Sequence, residues 1–323
     1  MGEKLIHVKR VAAALGATML AGALTVTTTG SGPATAAARR VPPPATFTVS
    51  SFNVLGSSHT PAGGRRAVGT TRIVWANQLL NKHGVDVVGF QEMQADQYTK
   101  FMQVTSKPDA ATGVPIPSWG VFPGLTMLRR DSENSIAWRL SRFDLVDATT
   151  FTIPYFDGNP RSMPLVLLRE KATGMLVYVA NVHNPADTAR YRNQQKWRTI
   201  AKGVEAALQR RLTPTGIPRL FTGDMNERAT FFCSMVSTAS IKAARGGTYR
   251  NGVCDARRPR AVDWIMGSER AAFSGYTEDR SPLVAKTTDH PVIVSDVTLS
   301  RSLFPRALGT PETSFPTFAS YTR

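Results

Sequence analysis

Along most of the chain, short apolar runs of strand length are separated by segments with the helical period. Residues 85–90 are apolar apart from Asp86, which is typical of a strand buried on both faces. Similar but shorter patterns predict eight further strands, at 46–53, 135–140, 144–151, 163–169, 175–182, 219–222, 261–266 and 291–299.

Two segments have the spacing of an amphipathic helix. Residues 70–82 place Ile73, Ala76 and Leu80 on one face. Residues 187–211 form a longer stripe through Trp197, Ile200, Val204 and Leu208. Residues 106–124 contain four prolines and are predicted to be an irregular loop. Because strands and helices are mixed, the fold class is α/β or α+β with an extensive sheet core.

The ends of the chain differ from its middle. Residues 1–38 have a basic start, an apolar stretch from Val11 to Val26, and small residues that suit a signal peptidase. This pattern predicts a secretory signal peptide and therefore a secreted protein. An uncleaved membrane anchor is the alternative. Residues 39–45 are interpreted as a linker, 46–299 as one catalytic domain, and 300–323 as a loose C-terminal tail.

The composition adds a strong positive charge to this picture. The 323 residues include 39 basic and 23 acidic ones, which gives a net charge of +16, and removal of 1–38 leaves +14. The charge favours a polyanionic partner such as nucleic acid, phospholipid headgroups or a cell wall. No apolar run reaches the roughly 18–20 residues of a membrane-spanning helix, which excludes a polytopic membrane protein.

The chain has two cysteines, Cys233 and Cys254. Export would place them in an oxidising compartment, where a disulfide is the favoured state and a free buried pair is the alternative. A bridge closing a loop of about twenty residues would stabilise the fold by roughly 3 kcal/mol.

Polar residues recur where predicted strands end. The segments are SFNVLG, GFQEM, ANVHNP, TGDMNER, VDWIM and TDHPV, and they contain Asn53, Glu92, Asn181, His183, Asp224, Asn226, Asp263, Asp289 and His290. Carboxylate and amide oxygens suit a hard divalent cation, and imidazoles suit proton transfer. Each segment alone is weak evidence, whereas their joint occurrence indicates an active site built at the edge of a sheet.

These segments, in this order, resemble the endonuclease/exonuclease/phosphatase superfamily, which includes deoxyribonuclease I, bacterial sphingomyelinases and inositol-polyphosphate phosphatases. TGDMNER and TTDHPVIV are the most specific pieces, although the second lacks the residue usually found between His and Pro. The resemblance extends over about 46–299. It implies a four-layer sandwich of two mixed β-sheets flanked by helices, and a metal-dependent phosphoester hydrolase.

The resemblance also implies roles for single residues. Glu92 would bind Mg²⁺, with Mn²⁺ or Ca²⁺ as possible substitutes, and Asn53 and Asp289 would lie close to the ion. His290 would act as general base, oriented by Asp263. The remaining roles belong to Asp224 and Asn226, which would position the attacking water, and to His183, which would bind the scissile phosphate.

The substrate is less well defined by the sequence. A basic stretch after Cys233 includes Arg257 and Arg258, which are candidate substrate-binding residues at the rim of the site, or simply part of a solvated loop. Nucleic acid, DNA or RNA, is therefore the expected substrate, and no obligate protein partner is implied.

Two other functions compete with a nuclease. A sphingomyelinase-like enzyme, or another phosphoesterase acting on lipid headgroups or inositol phosphates, would use Trp119 and Phe122, or Tyr155 and Phe156, to enter a bilayer surface. A catalytically inert, secreted polyanion-binding protein is the alternative from a different class. It predicts missing catalytic groups, yet all the expected carboxylates and both histidines are present.

Overall fold

The computed structural model describes residues 43–127, 129–257 and 261–300. The predicted signal peptide, most of the linker and nearly all of the C-terminal tail lie outside these ranges, as does Arg258. Ala45, assigned to the linker from the sequence, already pairs with Leu299 in the first strand.

Strands and helices alternate along the described chain. The strands are β1 (Ala45–Asn53), β2 (Val87–Gln91), β3 (Ser106–Pro108), β4 (Pro115–Pro117), β5 (Trp119–Phe122), β6 (Ile136–Arg139), β7 (Phe143–Pro154), β8 (Pro160–Glu170), β9 (Leu176–His183), β10 (Arg219–Asp224), β11 (Ile241–Ala243), β12 (Thr248–Arg250), β13 (Val253–Asp255), β14 (Asp263–Ser268), β15 (Ala271–Asp279) and β16 (Val292–Leu299). The helices are α1 (Gly69–Lys82), α2 (Ala95–Thr105), α3 (Arg129–Ser132), α4 (Gln195–Leu212), α5 (Ala229–Thr238) and α6 (Pro282–Thr287).

Two six-stranded mixed sheets form the centre of the molecule. The first has the order β15-β16-β1-β2-β6-β5, and the second β11-β14-β10-β9-β8-β7. In the first sheet β1 is parallel to β2 and antiparallel to β16. In the second, β10 is parallel to β9 and antiparallel to β14. The centre of each sheet therefore has the same arrangement of strand directions.

Three apolar clusters occupy the spaces between layers. The central one joins both sheets, through side chains such as Val49 and Val87 on one and Val179 and Ile265 on the other. A second packs α4 and α5 against the second sheet, and a third packs α1, α2 and α6 against the first. The four-layer sandwich predicted from the family resemblance is confirmed.

A polar bridge crosses the interior between the two sheets. The amide of Asn181 on β9 donates to the Phe90 carbonyl at 2.7 Å and accepts from Gln91 at 2.6 Å and from Thr222 at 3.0 Å. A side chain on Gly89 would collide with Asn181 and Thr222, so the close approach requires glycine here. Asn181 is therefore structural and ties the two sheets together beneath the strand ends.

Several predicted boundaries were wrong. Helix α4 begins at Gln195 rather than at 187, because residues 187–194 form a loop in which Asp187 accepts from the backbone of Gln194. The region predicted as an irregular loop contains the short strands β3, β4 and β5. Helix α2 was missed because its buried positions, Gln97, Phe101 and Thr105, include a single apolar residue.

Cys233 on α5 and Cys254 on β13 are joined by a disulfide, as the export argument predicted. The bridge connects a helix of the outer layer to the two-stranded β12–β13 ribbon. Within the described residues, no helix is long and apolar enough to span a membrane.

Candidate active site

Six strand ends meet at one edge of the sandwich, three from each sheet. In the first sheet the parallel strands β1 and β2 end there and the antiparallel β16 begins there. In the second sheet β9 and β10 end there and β14 begins there. Register places Asp224 directly opposite both His183 and Asp263. Since parallel strands end at the same edge, this topology brings distant sequence segments together.

Glu92 follows β2 and is held by the end of β1. One carboxylate oxygen accepts from the Asn53 amide at 2.9 Å, and the other from the Gly56 backbone at 3.0 Å. The backbone of Glu92 has a φ of 61°, an uncommon conformation for a residue other than glycine. Such strain is retained where the surroundings fix a side chain in a functional position.

The environment of Glu92 favours the carboxylate. Burial alone would raise its pKa, but the His183 imidazole and the hydrogen bonds from Asn53 and Gly56 outweigh burial and lower the pKa below its usual range. Glu92 is therefore ionised at neutral pH, as a cation ligand must be.

Asp224 lies at the centre of the site and is almost completely buried. One of its oxygens is 3.2 Å from the Asn53 amide and 3.6 Å from the Nε2 atoms of both His183 and His290. Its pKa is raised, first by burial and then by the neighbouring Asp263 carboxylate. The two imidazoles oppose this effect.

His290 forms a pair with Asp263. Its Nδ1 atom lies 3.0 Å from both carboxylate oxygens of Asp263, so the Nε2 atom faces Asp224 and the site. A carboxylate on Nδ1 fixes the orientation of the ring. Burial lowers the pKa of His290, but Asp263, Asp224 and Asp289 outweigh it and raise the pKa to about 10.

The two histidines are electrostatically different. Burial lowers the pKa of His183 despite the nearby Asp224 and Glu92 carboxylates, so His183 favours the neutral form. His290 favours the imidazolium, which suits a group that neutralises phosphoryl charge. Its predicted role as general base requires a lower pKa, which a cation beside Asp289 would promote by offsetting one of the raising charges.

Asn226 is positioned by the turn after β10. Its backbone N–H donates to Asp224 at 2.9 Å, and its side-chain amide donates to the Asn184 carbonyl at 2.9 Å. Its φ of 46° is a second left-handed conformation in the site. Asn226 therefore holds the loops after β9 and β10 together and keeps its amide oxygen available to a ligand.

A cavity of about 500 Å³ opens beside these groups. Glu92 and Asp289 line it together with His59, Thr60 and Arg65. Two carboxylates at one cavity are the donor set that Mg²⁺, Mn²⁺ or Ca²⁺ would take, so the residues fit the implied ion. Among the described residues, Asp224, Asp263 and His290 form a further cluster, with ligand atoms within 4.8 Å of one another.

Two sequence-derived assignments look different in the structure. The side-chain oxygen of Asn53 accepts a hydrogen bond from the Leu55 backbone at 3.0 Å, and its side-chain nitrogen donates to Glu92 and Asp224. Asn53 therefore orients these carboxylates and does not present an oxygen to the cavity. Arg257 lines a different cavity, with Arg245 and Tyr276, and not the one lined by Glu92. Arg258 lies outside the described residues.

Some residues that build the site have no motif in the sequence. The buried Arg72 guanidinium on α1 donates to the carbonyls of Val54 and Leu55 after β1 and of Thr287 before Asp289. It therefore ties together the two loops that border the cavity. An arginine within an amphipathic helix gives no sign of this role, because its partners are backbone atoms of remote loops.

A family model connects this geometry to known proteins. The model of the Endonuclease/Exonuclease/phosphatase family matches residues 50–290, which include the site residues from Asn53 to His290. The chain belongs to this family. Comparison with curated protein sequences gave no match.

Solved structures of the same family share the fold at low sequence identity. An endonuclease/exonuclease/phosphatase family protein from Bacteroides thetaiotaomicron is 18% identical, with a TM-score of 0.58 over 80% of this chain and 97% of its own. The mannosyl-6-phosphatase of the same organism is 17% identical, with a TM-score of 0.57 over 78% and 99%. A 2′,3′-cyclic phosphatase in complex with adenosine-2′,3′-vanadate is 13% identical, with a TM-score of 0.55 over 79% and 96%.

Family membership and the site geometry agree on the class of chemistry. The site places the Glu92 and Asp289 carboxylates at one cavity, with the Asp263–His290 pair and a second histidine, His183, grouped around Asp224, and the family hydrolyses phosphoesters. The chain is thus a phosphoester hydrolase of this family. These structures are all below 20% identical to it and establish the fold alone.

Proposed function

We propose that this protein is an exported, Mg²⁺-dependent phosphodiesterase that cleaves nucleic acid. The observation that carries the proposal is the pair of imidazoles, His183 and His290, whose Nε2 atoms each lie 3.6 Å from the same oxygen of Asp224. A phosphodiester bound next to this group would meet two imidazole donors, near the carboxylates that would hold the cation.

Each side chain has a definite task in this proposal. Asp263 orients His290, whose Nε2 moves a proton or stabilises charge at the phosphate. His183 donates to a second phosphoryl oxygen. Asp224 and Asn226 position the attacking water. A divalent cation bound at Glu92 and Asp289 would supply charge neutralisation for the attack of one anion on another.

Two observations support a nucleic acid substrate over a lipid: the positive net charge of the chain and the burial of Trp119. The net charge of +16 favours a polymeric polyanion. Trp119, which a lipid-acting enzyme was expected to insert into a bilayer, is 1% exposed and packs in the apolar layer between the first sheet and its helices. It is therefore not available to a membrane surface.

The decisive experiment compares four substrates. The purified full-length chain is incubated with plasmid DNA, RNA, sphingomyelin liposomes and an inositol phosphate, with Mg²⁺ and again with EDTA. We expect cleavage of DNA or RNA that stops in EDTA and is lost in His290→Ala. Turnover of liposomes without cleavage of either nucleic acid would reject the nuclease. Absence of Mg²⁺-dependent turnover on all four would favour the inert polyanion-binding protein.

Export is tested separately. The full chain is expressed in a bacterial host, and the N-terminus of the protein found in the medium is sequenced. Cleavage after Ala36 or Ala38 is expected from the small residues there. A protein that stays with the membrane and keeps Met1 would support the uncleaved anchor instead.

A further inference from the structure

Three aromatic rings extend outward from the active site. Tyr155 lies 5.8 Å from His183, Phe156 lies 4.4 Å from Tyr155, and Phe156 stacks on Tyr191 at 4.3 Å with an interplanar angle of 7°. We call these three residues the aromatic ledge. All three are partly exposed, so the ledge forms a continuous surface from the phosphate-binding histidine toward solvent.

The ledge is built from two loops that are locked together. The turn after β7, which carries Phe156, exchanges two hydrogen bonds with the buried Gln194: the Asp157 backbone donates at 2.9 Å, and Asp157 accepts at 3.0 Å. The loop carrying Tyr191 is closed by Thr188, which donates to the Tyr191 carbonyl and accepts from its N–H. The rings are therefore positioned before any ligand arrives.

The inner end of the ledge is also fixed. The Arg161 guanidinium lies 4.3 Å from the centre of the Tyr155 ring and forms a 2.6 Å ion pair with Glu133. Burial is the main reason that the pKa of Tyr155 is raised, so its hydroxyl stays protonated. Tyr155 is thus a rigid, neutral ring beside His183.

The charges around the outer end are mainly positive, and the exposed Asp157 beside Phe156 is the exception on that turn. Arg190 lies 5.2 Å from the centre of the Tyr191 ring, and Arg192 and Lys196 are exposed on the same short segment. The nearby Asp187 is neutralised by a 2.7 Å ion pair with Arg198. Aromatic faces between exposed cations are the combination that binds unpaired bases on a phosphate backbone.

We propose that the aromatic ledge binds an unpaired nucleobase next to the scissile phosphate, with Arg190 and its basic neighbours on the adjoining backbone. The inference rests on the proposed nuclease function and specifies which part of the substrate the protein holds outside the catalytic groups. It makes the ledge a determinant of preference for single-stranded or frayed nucleic acid, because a paired base cannot leave its own stack without a cost in free energy.

A bilayer fits the ledge less well. Phe156 and Tyr191 are packed face to face, so neither side chain projects alone into solvent, although both remain partly exposed. The hydrogen bonds through Gln194 hold the turn that carries Phe156 against the protein. A loop that inserts into a bilayer would instead need to extend away from the protein.

The test separates base stacking from charge. In a His290→Ala background, which prevents turnover, fluorescence anisotropy measures binding of an octathymidylate and of an abasic octamer with the same number of phosphates. We expect the parent to prefer the thymidylate by about 5- to 100-fold, the range for stacking of one base. Tyr191→Ala and the volume-conserving Phe156→Leu should remove most of this preference and leave abasic binding unchanged. Tyr249→Ala, an exposed tyrosine on β12, is the matched control.

Each outcome decides the inference. An unchanged thymidylate preference in Tyr191→Ala would overturn the ledge even if the parent protein degrades plasmid DNA, so the nuclease proposal would survive alone. Base-dependent binding without cleavage by the parent would support the ledge and reject the nuclease. If the parent binds neither octamer, the ledge proposal is overturned.

Discussion

At the residue scale, the site depends on two histidines whose pKa values are shifted in opposite directions around one buried aspartate. Burial governs His183, whereas the Asp263 pair governs His290. Groups that share a site but differ in protonation can divide the roles of donor and acceptor between them. Substitutions at single positions should therefore affect the chemistry without affecting the fold.

Asp263→Asn should lower kcat by about 10²- to 10⁴-fold, because an amide on Nδ1 no longer stabilises the imidazolium of His290 or fixes its orientation. Steady-state kinetics and a histidine NMR titration would measure this, with a lower His290 pKa expected in the variant. Asp144→Asn, at an exposed surface pair with Lys171, is the matched control. A normal kcat in Asp263→Asn would contradict the assigned role.

Glu92→Gln should weaken cation binding by at least about tenfold, because it removes a charged oxygen from the cavity. Thermal unfolding measures this directly, since a ligand bound only to the native state raises Tm. We expect Mg²⁺ to raise the Tm of the parent and to have little effect on the variant. Glu269→Gln, which is exposed, should respond like the parent. An equal Tm increase in both variants would mean that the ion binds elsewhere.

The positions of the chemical groups could be predicted because Glu92, His183, Asp224 and His290 stand at the ends of apolar runs. The contact between Asp263 and His290 was also expected from the family resemblance, whereas the contacts of Asn53 and Arg72 could not be predicted. The orientation of the Asn53 amide is set by the Leu55 backbone in a turn with left-handed φ, and Arg72 acts on carbonyls of loops remote in sequence. These are consequences of tertiary packing, which leaves no local pattern.

At the element scale, helix α4 contributes a polar face to the interior. Glu205 is fully buried on it beside the Asn184 side chain, and both of its carboxylate oxygens are excluded from solvent. Lys202, which lies three residues before Glu205 on the same helix, forms a 2.6 Å ion pair with Glu227 instead. Burial raises the pKa of Glu205 to about 8, despite the polar Asn184 and the nearby Lys202.

Glu205→Gln should make the protein more stable at alkaline pH. Because the folded-state pKa of Glu205 is raised from 4.5 to about 8, its contribution to stability is fully present below pH 4.5 and is lost as pH rises through 8. The free energy of unfolding in urea should be similar for parent and variant near about pH 5 and higher for the variant near about pH 9. A pH-independent difference would place the effect in packing.

Elements with strong periodicity were predicted, and those with weak periodicity were not. Helix α1 begins one residue before its predicted start and ends where predicted, and the buried β2 begins two residues late and ends one residue late. Strand β15 was missed because it is an edge strand with a bulge between Ser274 and Thr277, which interrupts the alternation. The predicted start of α4 was wrong because residues 187–194 continue the polar pattern of the helix. In the structure, side chains such as Asp187 and Thr188 accept hydrogen bonds from the backbone of this segment, which forms a loop.

At the scale of the whole molecule, the excess positive charge should act through salt-dependent association. For a polynucleotide substrate, KM should rise about tenfold or more between about 50 and about 200 mM NaCl, because bound counterions are released from each neutralised phosphate. KM for a small chromogenic phosphodiester should change little over the same range. Parallel titrations check both, and equal salt dependence for the two substrates would show that the charge does not guide binding.

The assembly of the site across two sheets has a consequence for when activity can arise. Glu92, Asp289 and His290 belong to one sheet, and His183, Asp224 and Asp263 to the other, with the Asn181 bridge aligning the two. A nascent or partly folded chain holds half of the set and cannot hydrolyse phosphoesters. If the protein is a nuclease and is exported before it folds, as the two proposals above would allow, the nucleic acid of the producing cell would meet only an inactive chain.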